Sequence, residues 1–175
     1  MKIQKELHLW GEVFDLEYDD VDDFGVLPRE LCTQVYGVCF CDGQLVIGFG
    51  GKKNAWGLIG GTIEPGETFG ETLKREIIEE ANMEVLKWLP IGYQKITDKD
   101  GAVKYQLRTA CLVKKIGEFT GDVDGSIKEI KLIDPADYKK YFDWGEVGDR
   151  IISRAVLLKE KLEKKEAPAK LGRVG

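Results

Sequence analysis

The chain has 175 residues, 43% hydrophobic and 33% charged, with a formal net charge of −5, so one domain with an adequate core is expected. No apolar run is long enough for a signal peptide or a membrane span, and a cytoplasmic protein with no membrane partner is expected. Carboxylates crowded into Asp15–Asp23 argue against broad binding to a nucleic-acid backbone, and an acidic protein that handles an anionic substrate needs a cation at the site.

Residues 1–30 read as an N-terminal strand and loop appended to the main domain, residues 31–163. Next, Asp42-Gly43 stands between two alternating apolar runs, Gln34–Cys41 and Gln44–Phe49, the strongest short-range hairpin signal. Trp56–Ile59 is a short apolar segment entering a glycine pair. A helix is expected over Phe69–Ala81. Asp100-Gly101 then joins strand Leu86–Ile96 to Val103–Val113, and Asp124-Gly125 precedes a shorter strand, Ile127–Ile133. One further helical turn is expected at Asp137–Phe142. A second helix should run from about Gly145 to Lys161, with Ile151, Ile152, Ala155, Leu158 and Leu162 on its apolar side. Residues 164–175, with Pro168 and two glycines, read as a tail. Five or more strands interrupted by helices predict an α/β fold, a mixed sheet with helices on its faces. Cys32, Cys39, Cys41 and Cys111 have neither metal-site nor disulfide-framework spacing and should be reduced core residues.

The segment that carries chemistry is Gly60-Gly61-Thr62-Ile63-Glu64-Pro65-Gly66-Glu67 with the helix after it. Pro65 and Gly66 fit the central positions of a type II turn, so the loop has a defined shape. Thr68 stands three residues before Glu71, the capping-box spacing, and Asn82 falls where the helix should stop in the left-handed conformation. Glu76, Glu79 and Glu80 are spaced i, i+3, i+4 and project from one face, while Leu73, Ile77 and Ala81 form the stripe that buries the helix. Only Arg75, four residues from both Glu71 and Glu79, is placed to offset the repulsion. Three converging carboxylates are a site for hard divalent cations, whereas a bare acidic helix face is more often simply solvated.

The spacing Gly61-x5-Glu67-x7-Arg75-Glu76-Ile77-x-Glu79-Glu80 resembles the Nudix box. At roughly one in fifteen per specified letter, chance gives its six polar and glycine positions on the order of 10⁻⁷ per start. Asn82 departs from the glycine usual in the family but tolerates the same backbone. The resemblance implies an α/β/α sandwich and magnesium, with manganese as a substitute. It implies that Glu76, Glu79 and Glu80 bind metal with the Gly60 carbonyl, and that Arg75 orients Glu67. An acidic residue outside the box often completes the metal shell or acts as base; Glu129 is the first candidate, with Asp122, Asp124 or Glu76 next. The implied reaction is hydrolysis of a phosphoanhydride in a nucleoside diphosphate linked to another moiety, a triphosphate or nucleotide sugar preferred. The rival reading, a silent Nudix-like module that binds a nucleotide or a protein, is disfavoured by the intact carboxylates. A homodimer is compatible with either.

Weaker signals surround the box. Gly48-Phe49-Gly50-Gly51-Lys52-Lys53 lacks phosphate-loop spacing, yet Lys52 and Lys53 could meet substrate phosphates. Trp56 could stack on a base or fill the core. Tyr105 and Arg108 could face the pocket from the strand after the second hairpin. His8 is the only histidine and lies outside the motif, which disfavours histidine-based catalysis.

Overall fold

The structure is a computed structural model that describes residues 1–9, 11–122 and 126–164. The expected Asp124-Gly125 turn and the tail beyond Lys164 lie outside the described residues. Strands β1 (Lys2–Leu9) and β2 (Glu12–Asp19) form a hairpin, where one strand and a loop were expected. Then come β3 (Cys32–Cys41), β4 (Gln44–Gly50), β5 (Ala55–Gly57), β6 (Ile59–Thr62) and helix α1 (Phe69–Ala81). Strands β7 (Met83–Thr97), β8 (Val103–Lys115) and β9 (Ile127–Ile133) precede helix α2 (Glu146–Lys164), with a 3-10 turn at Pro135–Lys140 near the expected helical turn.

Among the described residues the strands join in the order β1-β2-β7-β8-β3-β4-β5, with β6 on β3 and β9 on β4. The β3–β8 pair is parallel and the others are antiparallel, so the sheet is mixed. The N-terminal hairpin enters the same sheet, because Asp15–Asp19 pair with Tyr93–Thr97 of β7.

Turn chemistry sets the connections. Asp42 and Gly43 both have positive φ, 49° and 81°, as a two-residue turn matching the strand twist requires. The second hairpin closes more widely: Thr97 pairs with Val103, and Asp98 Oδ1 accepts from the N–H groups of Asp100 and Ala102.

Alternation of side chains gives the sheet two buried faces. Val35, Cys39, Val46, Leu107 and Cys111 pack with Leu73, Ile77 and Ala81 of α1. On the other face Val38, Phe40, Leu45, Ile47 and Ala110 pack with Ile151, Ile152, Ala155, Leu158 and Leu162 of α2. The result is the α/β/α sandwich. All four cysteines are buried and unbridged. No helix among the described residues is long and apolar enough to cross a membrane.

Candidate active site

The loop before α1 is held by its own backbone and by one arginine. Glu67 N–H donates to Glu64 O at 3.1 Å and Gly66 has φ 87°, the geometry of a type II turn. Thr68 caps the helix: its hydroxyl accepts from Glu71 N–H at 3.2 Å, while Glu71 accepts from Thr68 N–H at 2.7 Å. At the other end Asn82 is left-handed and its side-chain amide donates to Glu118 O at 2.9 Å.

Arg75 is the hub. Its Nε and Nη2 donate to the two oxygens of Glu67 at 2.7 and 3.0 Å, and Nη2 also donates to Thr62 O at 3.0 Å. Its Nη1 donates to Glu76 at 2.9 Å and Glu79 at 3.2 Å. Thr72 donates to Glu67 at 2.6 Å from one turn into the helix. The Arg75 guanidinium, helped by Thr72, holds the Glu67 carboxyl down at about 2. Arg29, which the sequence did not single out, donates to the backbone carbonyl of Glu67 and lies 4.3 Å from the Phe69 ring centre.

Glu76 and Glu80 behave differently because they are buried. Burial pushes Glu80 up to about 7, against the hydrogen bond it accepts from Gly60 N–H at 2.9 Å and with the repulsion of Glu76 and Asp122. Burial likewise raises Glu76, against the pull of Arg75. The glycine pair lets these side chains come so close. A Cβ on Gly61 would stand 2.5 Å from a Glu76 oxygen, and one on Gly60, at φ 148°, would stand 2.2 Å from Val35 O.

These groups line an open cleft of about 430 Å³, with Gly61, Glu76, Glu79, Glu80, Asp122 and Ser126 on its wall. Asp122 enters from the loop before β9 and accepts hydrogen bonds from Ser126 Oγ and Ile127 N–H. Glu129, the first choice from sequence, does not line this cleft. It pairs with Phe49 in the sheet and bridges to Lys131 at 3.5 Å, and Lys131 lies over the rings of Trp56 and Tyr141. Those rings pack on the α2 side, so strand alternation turns Glu129 away from α1.

The other candidates disperse. Lys52 and Lys53 are exposed in the β4–β5 turn, with Lys53 near enough to Glu80 to favour its charged form. Trp56 packs on Phe49 and Tyr141, with ring centres 5.4 and 5.7 Å away. Gly60 meets the cluster through its N–H. Tyr105 and Arg108 lie on opposite faces of β8: Tyr105 packs with Tyr93 on the α1 side, whereas Arg108 lies 4.7 Å from the Tyr36 ring centre on the α2 side.

Glu76, Glu79, Glu80 and Asp122, with Glu64 also on the wall, form an all-oxygen donor set suited to a hard divalent cation. Among the described residues no three acidic, cysteine or histidine side chains yet converge on one point. The reason is visible: Arg75 draws Glu76 and Glu79 toward itself, and Gly60 N–H engages Glu80. The donor chemistry fits a hard divalent cation.

The family model for the NUDIX domain matches residues 34–155, from β3 into α2. Among solved structures, that of the Bacillus subtilis pyrophosphohydrolase BsRppH, in a mutant form, is 16% identical with a TM-score of 0.65. It covers 92% of this chain and 98% of its own. A NUDIX hydrolase from Listeria monocytogenes, described as putative, is also 16% identical, with a TM-score of 0.59 over 77% of this chain and 99% of its own. One from Nitrosomonas europaea is 16% identical, with a TM-score of 0.55 over 69% and 85%. At these identities the likeness is one of fold. No curated protein matches the sequence.

Proposed function

The chain belongs to the Nudix hydrolase family, and on that premise we propose that it hydrolyses a phosphoanhydride in a nucleoside diphosphate linked to another moiety, in a magnesium-dependent reaction. A nucleoside triphosphate or a nucleotide sugar is the preferred substrate. The observation that carries the reading is the cleft itself, where Glu76, Glu79, Glu80 and Asp122 face one space beside the Arg75–Glu67 pair.

Glu76, Glu79, Glu80 and Asp122 would hold the ion. Magnesium, or manganese in its place, would supply neutralisation of the diphosphate and polarisation of the attacking water. Arg75 keeps Glu67 ionised and ties the loop to Thr62, so the wall facing the phosphates stays in place. In the hydrolysis an O–P bond forms from water, the anhydride P–O bond breaks and the second phosphate leaves. The water proton goes to a carboxylate of the cleft wall, for which Glu76 and Asp122 are the proposed bases.

The test is a panel of nucleoside triphosphates, nucleotide sugars and dinucleoside polyphosphates with magnesium, identifying the released phosphate, pyrophosphate or nucleoside monophosphate. Turnover that needs magnesium or manganese and disappears in EDTA is expected. Full activity after exhaustive metal removal would overturn the reading.

A further inference from the structure

On the sheet face opposite α1, a row of polar side chains crosses five strands. In register, Tyr18 of β2 stands opposite Gln94 of β7, Gln94 opposite Gln106 of β8, Gln106 opposite Gln34 of β3, and Gln34 opposite Thr62 of β6. One step along the strands lies a second row, Gly92, Arg108, Tyr36 and Gly60. Both rows end on β6, and Thr62 lines the acidic cleft. The row therefore reaches from the site of phosphate chemistry across the sheet.

Arg108 governs how this row is polarised. It is 4% exposed, and among the described residues it has no carboxylate partner. One of its nitrogens, Nε, is buried without a hydrogen-bond partner, an arrangement that folding alone does not favour. Its Nη2 donates to the side-chain oxygens of both Gln94 and Gln106, the latter at 3.0 Å. With its oxygen so engaged, Gln106 must offer its NH₂ outward, and it donates to Gln34 Oε1 at 2.6 Å. The Gln34 oxygen is then also satisfied. Gln34 and Gln106 are half-buried, their oxygens each already accept a hydrogen bond inside the row, and each keeps an amide N–H with no protein acceptor among the described residues.

We propose that this row binds the base of the substrate and selects oxo-purine nucleotides, with Gln34 and Gln106 donating to O6 and N7 and with Arg108 and Gln94 as positioning residues behind them. The inference rests on the nucleotide-hydrolase reading above. A guanine presents two adjacent acceptors on that edge, whereas an adenine puts an amino donor beside N7, where it would oppose a second donor. The reading surface is made of neutral amides, because the guanidinium is buried beneath them, and neutral acceptors suit it better than a phosphate. Phosphates belong one strand away, beyond Thr62.

Calorimetric titration of the full chain with GMP and with AMP, without metal, tests the base site apart from hydrolysis. Tighter binding of GMP by about tenfold or more is expected, the discrimination typical of a paired base-edge contact. Two variants remove the donors without emptying the core. Gln34→Leu acts at a half-buried position, and Gln106→Glu gives Arg108 a carboxylate while replacing the outward NH₂ by an acceptor. Each should bring the GMP-to-AMP ratio below about threefold, and the ratio of kcat/KM for GTP and ATP should fall in parallel. Equal binding of GMP and AMP by the parent, or an unchanged ratio in both variants, would make the row a structural network only. Selective binding of GMP without hydrolysis of any nucleotide would instead sink the proposed reaction and leave the base site standing.

Discussion

The two faces of the β3–β8 pair carry opposite electrostatic problems. On the α1 side Glu67, Glu76 and Glu79 pair with one arginine while Glu80 and Asp122 line the cleft beside them, and negative charge is in excess. On the α2 side one buried arginine is surrounded by amides and an aromatic ring, and hydrogen-bond donors are in excess. Each face is incomplete in a way that a nucleotide with its cation would complete, one by positive charge and the other by acceptors. The faces also differ in how they are specified. The acidic one is built from residues within about one loop and one helix, whereas the amide row exists only once five strands are in register.

The largest effect is expected from removing a carboxylate that the acidic face cannot spare. Glu76→Gln should lower kcat by roughly 10²–10⁴-fold with saturating magnesium, in the range for a proton acceptor or metal-positioning group. A change below tenfold in steady-state assays would move the chemistry off α1.

A second test sets Asp122 against Glu129. Asp122→Asn should cost about 10²-fold in turnover, and Glu129→Gln less than threefold, since Glu129 lies on the α2 side with Lys131. The reverse order would mean that the β9 register differs in the working enzyme.

Those two residues also mark what the sequence could disclose. The type II turn, the capping box, the left-handed Asn82 and the carboxylate face of α1 depend on spacings of three or four residues, so they are legible without any tertiary knowledge. The side to which Glu129 points depends instead on how β9 pairs with β4, including the irregularity between Phe49 and Gly50. Tyr105 and Arg108 are a different case. Three residues apart on one strand, they had to lie on opposite faces, a signal the sequence held. The row from Gln94 to Gln34 had no such signal, because its members are separated by 12 and 72 residues and meet through cross-strand register alone.

Stability against pH gives a smaller but directional effect. Glu80 is raised from 4.5 to about 7 by burial, so between those values the folded chain holds a proton that the unfolded chain has released. Its contribution is full below pH 4.5 and is lost as pH rises through about 7, an effect of about 3 kcal/mol at roughly 1.4 kcal/mol per pKa unit. Glu67 is shifted the other way and acts only below pH 4.5. The metal-free melting temperature should therefore fall from pH 5 to pH 7.5, and Glu80→Gln should flatten that slope. An equally steep slope in the variant would assign it to other groups.

The smallest expected effect is the most discriminating about α1. Glu79 is the most exposed of the three helix carboxylates and shares Arg75 Nη1 with Glu76. Neutralising it as Glu79→Gln removes one exposed i, i+4 ion pair, worth a few tenths of a kcal/mol, and relieves repulsion from Glu76 and Glu80 of similar size. Arg75 keeps Glu67, Glu76 and the Thr62 carbonyl, so the loop has no reason to loosen. The metal-free variant should thus match the parent within about 0.5 kcal/mol by denaturant unfolding. Magnesium separates the two proteins, because an ion that binds the folded state raises its melting temperature by mass action, and it should do so much less in the variant. Turnover should collapse alongside. Equal magnesium stabilisation of both proteins, with hydrolysis retained, would remove Glu79 from the site and return this helix face to solvent.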